Sequence, residues 1–138
     1  MLGALILGLA ACGRPQTHAG GPAELDALIA FHAAENGLPV DLVRRVVRSE
    51  SNFSPTARNG PYWGLMQLLP QTARTMGHRG PPEQLLDPDV NLRYGTRYLR
   101  GAWIVADRNP DRAVMWYRRG YYYEARRRGL LRETGLRP

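Results

Sequence analysis

Apolar residues recur along this chain at helical spacing, and prolines and glycines mark where each run begins and ends. From Pro22 to Asn36, Leu25, Leu28, Ile29, His32 and Ala33 share one face, with Gly37 as the stop. Pro39 sits in the first turn of a second run, where its missing N–H costs nothing. There Val43, Val46, Val47 and Glu50 fall at i, i+3, i+4 and i+7, Phe53 continues the face, and Arg44, Arg45 and Arg48 fill the other side. Ser54-Pro55 ends it, and Thr56 to Trp63 reads as a loop with Asn59-Gly60-Pro61 as its turn. Pro70 opens a third helix that reaches about Met76 and is closed by Gly77. After a connection from His78 to Leu86, Asp87-Pro88 caps a fourth, roughly Pro88 to Ala106. Along it Asn91, Gly95, Tyr98 and Ala102 share a face. Asn109-Pro110 starts a fifth helix through Tyr117, and beyond the break at Gly120 a sixth spans Tyr121 to Arg128. No internal repeat and no strand-like alternation is present, so the pattern predicts a mainly α domain.

One position breaks this pattern. Glu50 stands where its helix wants an apolar residue. A carboxylate in that place loses water, which pushes its pKa up and leaves it ready to donate a proton. The plain alternative is a helix that ends at Glu50 and lets the side chain swing to solvent. Downstream, the segment from Gly64 to Leu69, before Pro70, is too short and too glycine-flanked for a regular element. A Gly followed by Met66 and Gln67 suggests backbone and side chains drawn close to something bound, the plain alternative being ordinary loop packing.

The N-terminal residues form a different region. Residues 2–11 are a short apolar run that meets the chain's one cysteine, Cys12. Ten residues suit the core of a signal peptide, not a bilayer span. Leu9-Ala10-Ala11-Cys12 resembles a bacterial lipobox, whose cysteine is lipidated and becomes the mature N-terminus. No Lys or Arg precedes the run. The sequence therefore divides into a lipoprotein signal peptide over residues 1–11, a Gly/Pro-rich tether over 12–21 and a folded domain over 22–138. The expected place is the bacterial envelope, on the periplasmic side of the outer membrane, held by a lipid anchor at Cys12.

Charge adds a preference for anionic partners. The net charge is +7, and residues 113–138 hold seven Arg against Glu124 and Glu133, a local +5. Tyr121-Tyr122-Tyr123 followed by Arg126-Arg127-Arg128 could stack bases and hold phosphate. Consecutive tyrosines face different sides of a helix, however, and an export signal at the other end disfavours nucleic acid. His18, His32 and His78 have no metal-ligand spacing, so neither metal nor cofactor is expected.

Three ordered motifs together carry a resemblance: Ser49 to Pro55, Gly64 to Ala73, and Leu86 to Leu92 with Gly95 and Tyr98-Leu99. They resemble the soluble lytic transglycosylase domain, the goose-type-lysozyme-like family that cleaves bacterial peptidoglycan, over about Leu38 to Gly120. The resemblance implies a lysozyme-like helical fold with a groove for a glycan strand. It implies that Glu50 is the catalytic acid/base. Met66 and Gln67 match groove residues that contact sugars, Tyr117 the tyrosine near the catalytic carboxylate, and Asn91 and Tyr98 the motif helix behind or beside the groove. Asn59 stands for a serine usual in the loop before Gly64, and Tyr117-Arg118-Arg119-Gly120 departs from the family's usual Tyr-Asn and Gly.

Glycosidases usually pair two carboxylates. The other acids here sit at caps (Asp87, Asp111), on a turn (Asp107) or among arginines (Glu124, Glu133). In the resembled family the substrate supplies the nucleophile, leaving a 1,6-anhydro N-acetylmuramic acid end. A lysozyme-type muramidase using water, and a non-catalytic peptidoglycan-binding lipoprotein, are the alternatives.

Overall fold

The computed structural model describes residues 21–137. The expected signal peptide, Cys12 with its expected lipidation, His18 and nearly all of the expected tether lie outside them.

Proline decides where most helices start. Helices α1 (Pro22–Glu35), α3 (Pro70–Thr75), α4 (Pro88–Val105) and α5 (Pro110–Arg119) each carry proline in their first turn, and Pro39 is the N-cap of α2 (Val40–Ser51). Asp87 caps α4 by accepting from the Val90 N–H at 3.1 Å, and Asn109 caps α5 by accepting from the Arg112 N–H at 3.0 Å. Helix α6 is Tyr122–Arg127. All six helices lie within about two residues of their expected bounds, and the domain is mainly α.

Two short elements depart from the expected loops. Arg58–Asn59 (β1) and Tyr62–Trp63 (β2) pair antiparallel across the Gly60-Pro61 turn, Asn59 opposite Tyr62. Two-residue strands are too short to show alternation, which is why the sequence pattern misses them. The Arg58 guanidinium lies 3.3 Å from the Trp63 ring centre and steadies the ribbon. The stretch expected as a plain connection contains the 3₁₀ helix Pro82–Leu86, which tucks Leu85 into the core.

The core is built around α4, which packs against α1, α3, α5 and the 3₁₀ helix. Its Leu92, Leu99 and Ala102 are fully buried together with Val43, Val46 and Val47 of α2 and Leu65 and Met66 of the Gly64–Gln67 turn. Side chains of this kind each contribute roughly 1.5–3 kcal/mol by leaving water. His32 is buried and its Nε2 lies 2.7 Å from Asp89 Oδ1, tying α1 to α4. His78 is buried against Gln84, also as a packing residue. Among the described residues no helix is long and apolar enough to cross a membrane.

Candidate active site

Helix α2 delivers Glu50 to the surface at its last turn. Asn52 and Phe53 adopt positive φ, 49° and 62°, so the chain turns away directly after Ser51 and leaves the carboxylate at the mouth of a cleft. The expected apolar enclosure is incomplete. The Glu50 side chain is 21% exposed, and the Arg118 Nε donates to its Oε1 at 3.3 Å from the end of α5. A helix C-terminus disfavours negative charge, and Arg118 offsets that disadvantage.

The cleft, of about 400 Å³, is lined by Glu50, Asn59, Tyr62, Gln67, Tyr117 and Arg118. Glu50 is the one carboxylate lining it among the described residues. Asp111 is paired with Arg45, Asp107 with Arg128 and Glu124 with Arg127.

A second layer holds this lining in place. Asn91 is fully buried on α4; its Nδ2 donates to the carbonyls of Trp63 and Leu85 at 2.8 Å each, and its Oδ1 accepts from the Met66 N–H at 2.9 Å. One side chain thus clamps the hairpin, the 3₁₀ helix and the Gly64–Gln67 turn. Gly64, at φ +72°, must be glycine because a Cβ there would overlap the Leu85 carbonyl and the Asn91 amide. Gly95 likewise leaves room for the Met66 side chain, which is fully buried against it. Tyr117 is buried and its hydroxyl donates to the Met66 carbonyl at 2.6 Å. Burial first, and then the nearby charge of Glu50, pushes the Tyr117 hydroxyl well above the ordinary tyrosine range. It therefore stays neutral, a donor to Met66 with oxygen lone pairs left over. Gln67, at φ 49°, spends its amide N–H groups on the carbonyls of Gly64 and Ala57, while its Oε1 accepts from Asn59 Nδ2 at 2.8 Å.

The sequence profile described as the transglycosylase SLT domain matches residues 27–128, most of the chain. The chain belongs to the transglycosylase SLT domain family. It is also 34% identical over 104 residues to the peptidoglycan transglycosylase gp16 of Escherichia phage T7, a match covering 72% of this chain and 8% of that protein. The chain thus spans a small part of the length of this curated relative.

Within the SLT domain the expected site residues separate into two groups. Glu50, Asn59, Gln67 and Tyr117 come together around the cleft. Met66, expected to contact sugars, is instead fully buried, and Asn91, expected as a substrate-binding residue on the helix behind or beside the groove, is fully buried behind it. Both backbone groups of Met66 and the whole Asn91 amide are spent inside the protein. Tyr98 stands behind Tyr117, ring centres 5.4 Å apart, and is not part of the cleft lining. Two lining residues were not singled out from the sequence as site residues. Tyr62 is 44% exposed on β2, and its signal was an aromatic directly after the Asn59-Gly60-Pro61 turn. Arg118 was visible as a departure from the family pattern, but its pairing with a residue 68 positions away was not.

The Tyr-Arg run near the end divides similarly. Tyr121 is buried and its hydroxyl donates to the Tyr98 carbonyl, whereas Tyr122 and Tyr123 are exposed. Arg127 and Arg128 are committed to Glu124 and Asp107. No group of three or more His, Cys, Asp or Glu able to hold a metal occurs among the described residues.

Proposed function

We propose that this SLT domain cleaves the β-1,4 bond between N-acetylmuramic acid and N-acetylglucosamine in peptidoglycan, with Glu50 as the acid and then the base. The observation that carries the reading is a lone carboxylate in a cleft otherwise lined by neutral groups and one guanidinium. Protonated Glu50 gives its proton to the glycosidic oxygen, and the bond from that oxygen to the anomeric carbon breaks. The C6 hydroxyl of the same muramic acid attacks the anomeric carbon, and its proton passes to the Glu50 carboxylate. Glu50 is thereby restored, no water is consumed, and a 1,6-anhydro ring is left. Holding nucleophile and electrophile in one sugar gives a large effective concentration. The neutral Tyr117 oxygen, its hydrogen turned to Met66, can present lone pairs toward the oxocarbenium-like transition state. The membership in the SLT family and the named activity of the phage relative support this assignment.

Purified protein incubated with peptidoglycan should release soluble muropeptides whose muramic ends resist borohydride reduction. Reducible ends alone would indicate a muramidase that uses water. Binding without release would indicate a wall-binding protein.

We also propose that the domain works in the bacterial envelope, tethered by a lipid on Cys12. More than one acyl chain would give stable anchoring. Cell fractionation should find the protein in the membrane and the Cys12→Ser variant released from it; identical partitioning would remove the anchor.

A further inference from the structure

We propose that Arg118 recognises a free carboxylate on the glycan, the O-lactyl group of a muramic acid that carries no peptide, and so makes peptide-free strands the preferred substrate. This deepens the glycan-cleaving reading above and rests on it. The Arg118 side chain is more than half exposed, and its one hydrogen bond among the described residues runs from Nε to Glu50 at 3.3 Å. That contact is long for a charge-assisted bond and uses one edge of the fork. Arg127, by comparison, grips Glu124 with two donors at 2.7 and 3.0 Å. Both terminal nitrogens of Arg118 therefore have donors to offer, in the planar geometry that matches a carboxylate. An exposed pair of this kind contributes little to stability, so redirecting Arg118 is easy.

The identity of the anion follows from position. Arg118 touches the proposed acid/base itself, so the group it meets lies on the sugar being cleaved. Carboxylates of a peptide stem come roughly 7 Å or more farther along, two residues out at full extension. Attachment of a peptide converts the lactyl carboxylate into a neutral amide and removes the partner. Charge points the same way. An uncompensated guanidinium beside Glu50 opposes the positive charge that develops at the anomeric carbon. A lactyl carboxylate neutralises it and also draws Arg118 away from Glu50 Oε1.

A disaccharide of N-acetylglucosamine linked to a terminal N-acetylmuramic acid lacks the cleavable bond and serves as the binding probe, as the free acid and as its methyl amide. The wild type should bind the acid about tenfold more tightly. Arg118→Asn should abolish that difference, and Arg118→Lys should keep part of it. The kcat/KM ratio between peptide-free and peptide-bearing strands should fall by a similar factor in Arg118→Asn. Equal wild-type affinity for acid and amide, or a preference untouched by Arg118→Asn, overturns the proposal. A preserved binding preference with neither strand cleaved would instead overturn the catalytic reading while the carboxylate site stood.

Discussion

The front and the back of the cleft are built on opposite principles. In front, Glu50, Asn59, Tyr62 and Arg118 are partly or largely exposed, and among the described residues each makes at most one side-chain hydrogen bond. Behind them Met66 and Asn91 are fully buried, and their polar groups are engaged with each other, with backbone carbonyls and with the Tyr117 hydroxyl. Gln67 and Tyr117 belong to both: each lines the cleft, while the Gln67 amide ties the turn together and the buried Tyr117 hydroxyl donates to the Met66 carbonyl. In the proposed reaction the front residues would meet the glycan and the buried ones hold them still. Catalytic geometry needs the second as much as the first, since a misplaced acid loses its advantage even when it is present.

The sharpest way to break the comparison is at the front. Glu50→Gln should leave the fold and its thermal midpoint nearly unchanged, because the position is partly exposed and the amide is isosteric. It should lower glycan cleavage by at least ~10²-fold, the usual cost of a lost general acid. A folded variant with undiminished activity would move the chemistry to another residue.

At the back the effect should reverse, with stability lost first. Asn91→Leu strands the Met66 N–H and the Leu85 carbonyl inside the protein, and leaves the Trp63 carbonyl only its bond from the Leu68 N–H. Each buried unpaired group costs about 1–3 kcal/mol, so a total of roughly 2 kcal/mol or more should appear in chemical denaturation. Tyr62→Ala at the front should by contrast stay within about 0.5 kcal/mol of wild type. Equal stability losses in the two variants would erase the distinction.

Much of this architecture was legible in the sequence. Prolines at helix starts and glycines at helix stops act through local backbone geometry, so α1 to α6 could be placed from spacing alone. Glu50 stood out because a charge on an apolar face contradicts the helix's own periodicity. The hairpin at Arg58 to Trp63 and the 3₁₀ helix at Pro82 were not legible, since neither is long enough to repeat a hydrophobic period. The motifs marked Met66 and Asn91 without saying which way they face. Their burial depends on Gly95 and Leu85, brought alongside only by tertiary packing. The Arg118–Glu50 pair is of the same kind.

A smaller effect should sharpen the account through pH. Tyr117, Tyr121 and Tyr98 all hold their protons more tightly in the folded chain, chiefly through burial. Their contribution is fully present below the unfolded tyrosine value of about 10. Above it the unfolded chain releases protons that the folded chain keeps, so stability falls as pH rises through the folded values. Tyr117→Phe should cost about 1–2 kcal/mol near neutrality, through the hydrogen bond lost at Met66. It should also flatten the alkaline decline, read by denaturant titration across that range. An unchanged alkaline profile would place the Tyr117 hydroxyl in water.

The central claim is that Glu50 completes the cleavage without water, the substrate's own hydroxyl taking its place. Digestion of peptidoglycan in heavy-oxygen water followed by mass spectrometry of the released muropeptides tests it most directly. The anhydro ends should carry no heavy oxygen, and the label should be equally absent at the new non-reducing ends. New muramic ends that each contain one heavy oxygen would contradict the account, because a solvent molecule would then have attacked the anomeric carbon.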